Sequence, residues 1–181
     1  MLGVRLIVGI VAALTAVGCN RGGERADPPS SAPSVIVVVS TAFGDGEPIP
    51  QEYTCDGADV SPPLTWTGVP SDAATLALVV DDPDAPGGTF VHWVVANIDP
   101  ASGGVPEGGV PDAGLQVVSS SGKASYLGPC PPSGTHHYRF TVYALSSRVD
   151  VTADTALVNV FSAIDDAAIG RGTLTGTFAH P

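Results

Sequence analysis

Positive charge is scarce in this chain. Its 181 residues include a single lysine, Lys123, and seven basic residues in all, against 18 Asp and Glu, for a formal net charge of −11. So acidic a surface has little with which to displace counterions from a phosphate backbone, which excludes counterion-driven binding of DNA or RNA. It also lacks the basic face that would hold a protein on an anionic bilayer. Charged residues of both signs reach only 14%, too few for a disordered polyelectrolyte. There are three cysteines and no Cys/His spacing of a structural zinc site. Nucleophile motifs, HExxH and phosphate-cradling glycine loops are all missing. What is abundant is apolar surface (44%), Gly (22) and Pro (17). That is enough core for one domain, cut by many turns into short strands rather than long helices.

The apolar run at residues 6–18 follows Arg5. As a helix it would span roughly 20 Å, short of the ~30 Å hydrocarbon core, so it reads as the apolar part of a secretory signal rather than a membrane span. Ala16-Val17-Gly18-Cys19 resembles a bacterial lipobox, in which small residues precede a cysteine that is lipidated and becomes the mature N-terminus. The expected organisation is a signal peptide over 1–18, lipidated Cys19 with a flexible tether over 19–34, and a folded domain over 35–181. Failing lipidation, the signal implies secretion. With Cys19 acylated, Cys55 and Cys130 remain. In an oxidising compartment they are expected to pair; the alternative is two separate buried thiols.

Strand signals dominate the domain. Ser34–Ser40 is β-branched, Thr75–Val80 is a continuous apolar run suited to a strand buried on both faces, and Phe90–Ile98 and Tyr138–Ser146 alternate. Thr173–Phe178 closes the chain. One helix is expected over 154–169, with Leu157, Val160, Phe161, Ile164 and Ala168 on one stripe and Gly170 as its C-cap. The architecture is mainly β: two packed antiparallel sheets with one or two short peripheral helices.

Three segments carry the candidate chemistry: Cys55–Trp66 (CDGADVSPPLTW), Asp81–Trp93 (DDPDAPGGTFVHW) and Tyr126–Tyr138 (YLGPCPPSGTHHY). A buried strand that ends in carboxylates brings them to the rim of a sheet. His92 shares a strand face with Phe90 and Val94, which makes it at least half-buried and in need of a partner. A neighbouring Asp such as Asp82 is the economical one, and would favour the imidazolium. His136 and His137 alternate, so only one of them can point into a site, and His136 shares its parity with Tyr138. Asp81 reads as solvated or structural, Trp66 and Trp93 as core. His180 has no evident role. Two His and one Asp could in principle ligate a metal.

Together with the VVANI, YRFTVYAL and TLTGTF strands, these segments resemble the phosphatidylethanolamine-binding protein (PEBP) family, in its bacterial Raf kinase inhibitor-like (YbhB/YbcL-type) branch. The resemblance covers residues 40–180 in order. It implies two antiparallel sheets with a small anion pocket at one end, formed by Asp82, Asp84, His92, Pro131, His136 and Tyr138, with Tyr126 and Pro132 bordering it. It implies a non-enzymatic protein without cofactor that binds phosphate-like groups or phospholipid headgroups. The alternative role is inhibition of a kinase or serine protease through loops around the pocket. Three features depart from the pattern: His137 stands where an arginine is commonest, residues 99–114 are unusually rich in Gly and Pro, and the lipobox is not universal.

Anchoring has a direct test. Cys19→Ala is expected to move the protein from the membrane fraction to the soluble fraction; continued sedimentation with membranes would refute the anchor.

Overall fold

The computed structural model describes residues 26–180, so the signal peptide, Cys19 and the first part of the tether lie outside the described residues. Two antiparallel sheets form the body. The smaller holds β1 (Val37–Val39), β2 (Leu64–Thr67) and β5 (Gly104–Val105), in the order β1-β2-β5. The larger holds β3 (Thr75–Asp82), β4 (Phe90–Ile98), β6 (Leu115–Val117), β7 (Thr135–Leu145) and β8 (Ala168–Ala179), in the order β6-β4-β3-β7-β8.

β3 sits at the centre and every one of its residues is buried, as its unbroken apolar run demands. Alternate side chains serve two cores. Leu76, Leu78 and Val80 join Trp66, Trp93, Phe140 and Val142 between the sheets. Ala77 and Val79 join Val94, Tyr143, Phe161 and Ile164 beneath the helix α1 (Leu157–Ala167). Trp66 and Trp93 are both core residues, with their indole N–H groups donated to the Ser102 carbonyl and the Gln116 side chain.

The helix is shorter than the sequence suggests at both ends. Thr152–Thr155 close a polar turn ahead of it, Thr155 N–H donating to the Thr152 carbonyl. At the other end Ala168 is already extended and opens β8. Gly170 is therefore not a C-cap. It pairs with Ala144 inside the sheet, where a Cβ would stand 2.6 Å from Val35 Cγ2. The close approach of the β1 segment, rather than helix termination, explains the glycine.

Residues 26–34 differ from the free tether expected of them: they lie along the outer face of the larger sheet. Proline removes donors but leaves carbonyls, and the sheet uses these. Tyr143 O–H donates to the Pro29 carbonyl at 2.7 Å, Arg171 Nε to Ala32 at 3.0 Å, and Arg171 N–H to Pro33 at 2.8 Å. Ala32 is buried.

Cys55 and Cys130 form a disulfide with Cα atoms 5.5 Å apart, closing a sequence separation of 75. It ties the 3₁₀ turn Gln51–Tyr53 to the proline-rich loop before β7. Cys130→Ser is expected to lower the unfolding free energy by about 4 kcal/mol in the chain-entropy account. Urea denaturation of the oxidised protein beside the variant checks this; coincident curves would mean the loop is held by its other contacts.

Candidate functional site

The site is built where β3 ends. Asp81 and Asp82 are both buried, and strand alternation sends them to opposite faces of the sheet. Asp81 points to the outer face, where Arg139 grips its carboxylate through Nε and a terminal nitrogen. Burial pushes the Asp81 carboxyl above the ordinary carboxylate range, against the pull of Arg139. Of the two readings open from sequence, Asp81 is structural and not solvated.

Asp82 points to the inner face and accepts His136 Nδ1–H at 2.7 Å, with its other oxygen receiving Asp84 N–H at 2.8 Å. Asp84, two residues on across Pro83, accepts both the backbone N–H of His137 at 2.9 Å and its Nδ1–H at 2.6 Å. These bonds from His137 hold the Asp84 carboxyl below the usual carboxylate range. The Asp-Pro-Asp turn therefore clamps the two consecutive histidines, one on each side of β7. His136 is buried and His137 is exposed.

His92 enters through a β-bulge. Val80 pairs with Trp93 and Asp81 with Val91, so His92 is the extra residue on β4. The bulge puts His92 and Trp93 on the same inner face, while Val94 turns to the helix side. The expected company of Val94 is thus corrected; that of Phe90 stands, with ring centroids 4.9 Å apart. His92 is buried, as its strand face implies, but one further expectation is corrected: its partner is not an Asp but the Leu127 carbonyl, which accepts Nδ1–H at 2.9 Å. Burial pushes its imidazole below the ordinary value, against the Leu127 carbonyl and the more distant Asp82 charge. Neutral imidazole, not imidazolium, is the favoured form.

Tyr138 stands between the two rings, edge-on to His92 at 5.3 Å and stacked near His136 at 6.5 Å. Its hydroxyl is buried beside the Cys130 backbone N–H, and its own proton meets no acceptor among the described residues. Burial, with the Asp82 charge behind it, raises its pKa above the ordinary tyrosine value.

Beside these groups lies a cavity of about 180 Å³ whose wall includes Asp82, Pro86, Phe90, His92, Leu127 and Pro132. Of the eight residues nominated from sequence, Asp82, His92 and Pro132 line it directly. His136 and Tyr138 pack against that wall through Asp82 and His92. Pro131 is buried and Asp84 is turned to His137, both outside the lining. Tyr126 acts as a brace: its O–H donates to the Tyr53 carbonyl at 2.9 Å and its ring meets Trp93 edge-on. The sequence reading missed Phe90 and Leu127 as wall residues. Parity with His92 marks Phe90, whereas nothing in the sequence marks Leu127, which contributes a carbonyl. A grouping of Cys55, Asp56 and His180 lies elsewhere, but its sulfur is spent in the disulfide, and His180 pairs with Asp56 at 2.9 Å.

Fold and site together define a two-sheet β protein with a small recess at one end, walled mainly by apolar side chains around Asp82 and His92. The chain belongs to the phosphatidylethanolamine-binding protein family, whose sequence model matches residues 39–179. Within it, the bacterial YbhB/YbcL-like branch is the matching one. The Mycobacterium tuberculosis protein named "Putative lipoprotein LppC" is 44% identical over 184 residues, covering 93% of this chain and 91% of the relative. A UPF0098 protein of Methanothermobacter thermautotrophicus is 44% identical over 142 residues, 76% of this chain and 94% of that one. The crystal structure of Escherichia coli YbcL, described as a member of the mammalian PEBP family, superposes with a TM-score of 0.77 at 30% identity. It covers 82% of this chain and 100% of that one. Proteins of this family are generally non-catalytic binding proteins, and this chain is a PEBP-like binding protein.

The buried imidazole makes stability depend on pH. An unfolded histidine takes up a proton near pH 6.5, while folded His92 does so only at lower pH. Between the two values the unfolded chain binds more protons, so this contribution is present above about pH 6.5 and lost as pH falls. Urea denaturation at pH 8 and pH 5 is expected to give a smaller stability loss for His92→Gln than for the parent, by up to about 1.4 kcal/mol per pH unit in that window. Equal losses would place the titration elsewhere.

Proposed function

We propose that the recess binds a small anionic group, a phosphate, phosphomonoester, phospholipid headgroup or carboxylate, without chemical turnover. The observation that carries this reading is the buried hydroxyl of Tyr138, whose proton meets no acceptor among the described residues, beside two imidazoles. Each ring spends Nδ1–H on a protein acceptor, His92 on Leu127 and His136 on Asp82, which leaves Nε2 for a ligand: it accepts from a ligand O–H while the ring is neutral and donates to an anionic oxygen only when the ring is protonated. Buried polar groups are nearly always satisfied, so an unspent hydroxyl packed behind the cavity wall is a place for a ligand or water. Family membership supports the same class of ligand.

The electrostatics favour modest affinity. No guanidinium or ammonium lines the cavity, and Arg139 is held by Asp81 on the other face of the sheet. Recognition rests on directional hydrogen bonds from the Tyr138 hydroxyl and the imidazole nitrogens, not on a permanent cation. We further propose that the domain is lipid-anchored through Cys19 on the outer side of the cytoplasmic membrane. The lipoprotein name of the mycobacterial relative supports this. The inhibitor role considered from sequence gains no supporting contact surface here.

Amide and imidazole NMR titration with phosphate, phosphoethanolamine and acetate tests the recess. Saturable shifts at His92, His136 and Tyr138 are expected. His136→Ala is expected to weaken binding by about 1.5–3 kcal/mol, the cost of one charge-assisted bond. No shifts at millimolar ligand would overturn the reading.

A further inference from the structure

The described chain begins at the pocket end of the molecule. Asp27 accepts the Thr89 hydroxyl, and Thr89 immediately precedes Phe90, the first residue of β4 and part of the cavity wall. Ala26, Thr89 and Phe90 also share a groove on the outer side of the same corner. From there the chain runs away from the pocket. Pro29 lies at Tyr143, Ser31 Oγ donates to Asp165 at 2.5 Å, and Ala32 and Pro33 lie at Arg171. Arg171 pairs with Tyr143 toward the far end of the sheet, whereas Phe178 pairs with His136 at the pocket end.

Residues 26–34 are therefore a strap fastened at several points along one face. Between Cys19 and Ala26 stand residues 20–25, a reach of at most about 25 Å even fully extended. The far end of β3 is seven residue steps from Asp82, about 23 Å further away. A free tether over 19–34 would let either end of the domain meet the membrane. With the strap fastened the tether is rooted at the pocket corner, and as a flexible coil its seven steps span only roughly 15 Å, so the far end meets the membrane only when the tether is almost fully extended.

We propose that the strap orients the anchored domain, so that its pocket end, with the Asp82–Pro86 turn and the 131–135 loop, faces the headgroup layer of the leaflet that carries the anchor. This rests on the lipid-anchor reading above. It also reconciles the acidic surface with work at a bilayer: a short covalent tether supplies the high local concentration that a basic patch would otherwise have to provide.

The test uses the full lipidated chain in phosphatidylcholine vesicles doped with an acceptor-labelled headgroup lipid. Single thiols are placed at Ser133→Cys, exposed in the pocket loop, or at Asp72→Cys, exposed in the turn before β3 at the opposite end. With Cys55 and Cys130 paired and Cys19 acylated, each new thiol takes the donor dye alone. Energy transfer to the bilayer is expected to be roughly twofold or more higher from position 133 than from 72, given their separation along the strands. Asp27→Ala with Tyr143→Phe, which releases two fastenings of the strap, is expected to shrink that difference. Equal transfer from both positions, stronger transfer from 72, or an undiminished difference in the strap variant would overturn the proposal. Failure of the protein to float with vesicles at all would instead refute the anchor on which it rests, and flotation scores that separately.

Discussion

The structure at the pocket end depends on one constraint: the central strand remains buried through its last two residues, and both are aspartates. A carboxylate withdrawn from water must be paired or neutralised. Asp81 and Asp82 project to opposite faces, so a single partner cannot serve both. β7 supplies both partners because it lies antiparallel beside β3, with Asp81 in register with Arg139. Arg139 satisfies the outer carboxylate and His136 the inner one. The same pairing consumes the one guanidinium near the site on the face away from the recess. What remains at the recess is a mostly apolar wall carrying Asp82 and His92, with no cation among its lining residues.

Rigidity at this end comes from covalent and backbone devices more than from apolar packing. The disulfide holds the proline-rich loop against the 3₁₀ turn, and Asp59 accepts the Gly128 N–H at 2.6 Å beneath it. At Gly128 a Cβ would meet the Tyr53 carbonyl at 2.6 Å, so the two loops pack backbone to backbone. That contact sets Leu127 where its carbonyl takes the His92 proton. The bulge at His92 sets the ring on the inner face beside Trp93, where it is a buried, neutral donor-acceptor group. In the proposed reading, this network presents Nε2 atoms and the Tyr138 hydroxyl to the ligand at fixed positions, which lowers the ordering cost of binding.

The strap adds a second level of organisation. Its prolines limit strand pairing to a single bridge at Ser34, yet its carbonyls take the Tyr143 hydroxyl at Pro29, the Arg171 side chain at Ala32 and the Arg171 backbone N–H at Pro33. One segment thus adds hydrogen bonds to the outer face of the sheet and, in the proposed reading, roots the tether at the pocket corner. In the proposed orientation the two roles coincide.

Much was legible in the sequence because it rests on local physics. The continuous apolar run of β3, the alternation of β7, the helical stripe from Leu157 to Ile164 and the Asp-Pro-Asp turn are properties of neighbouring residues, and motif order carried the family. The opposite facing of His136 and His137 also followed from alternation alone. What the local pattern could not supply was register. A single extra residue at the His92 bulge moves Val94 to the other face, and no sequence period signals it. Which aspartate takes which partner, the Leu127 carbonyl as the acceptor for His92, and the docking of residues 26–34 are long-range pairings. Only the tertiary structure decided them, because each depends on strands and loops distant in sequence meeting where buried polar groups must find a partner.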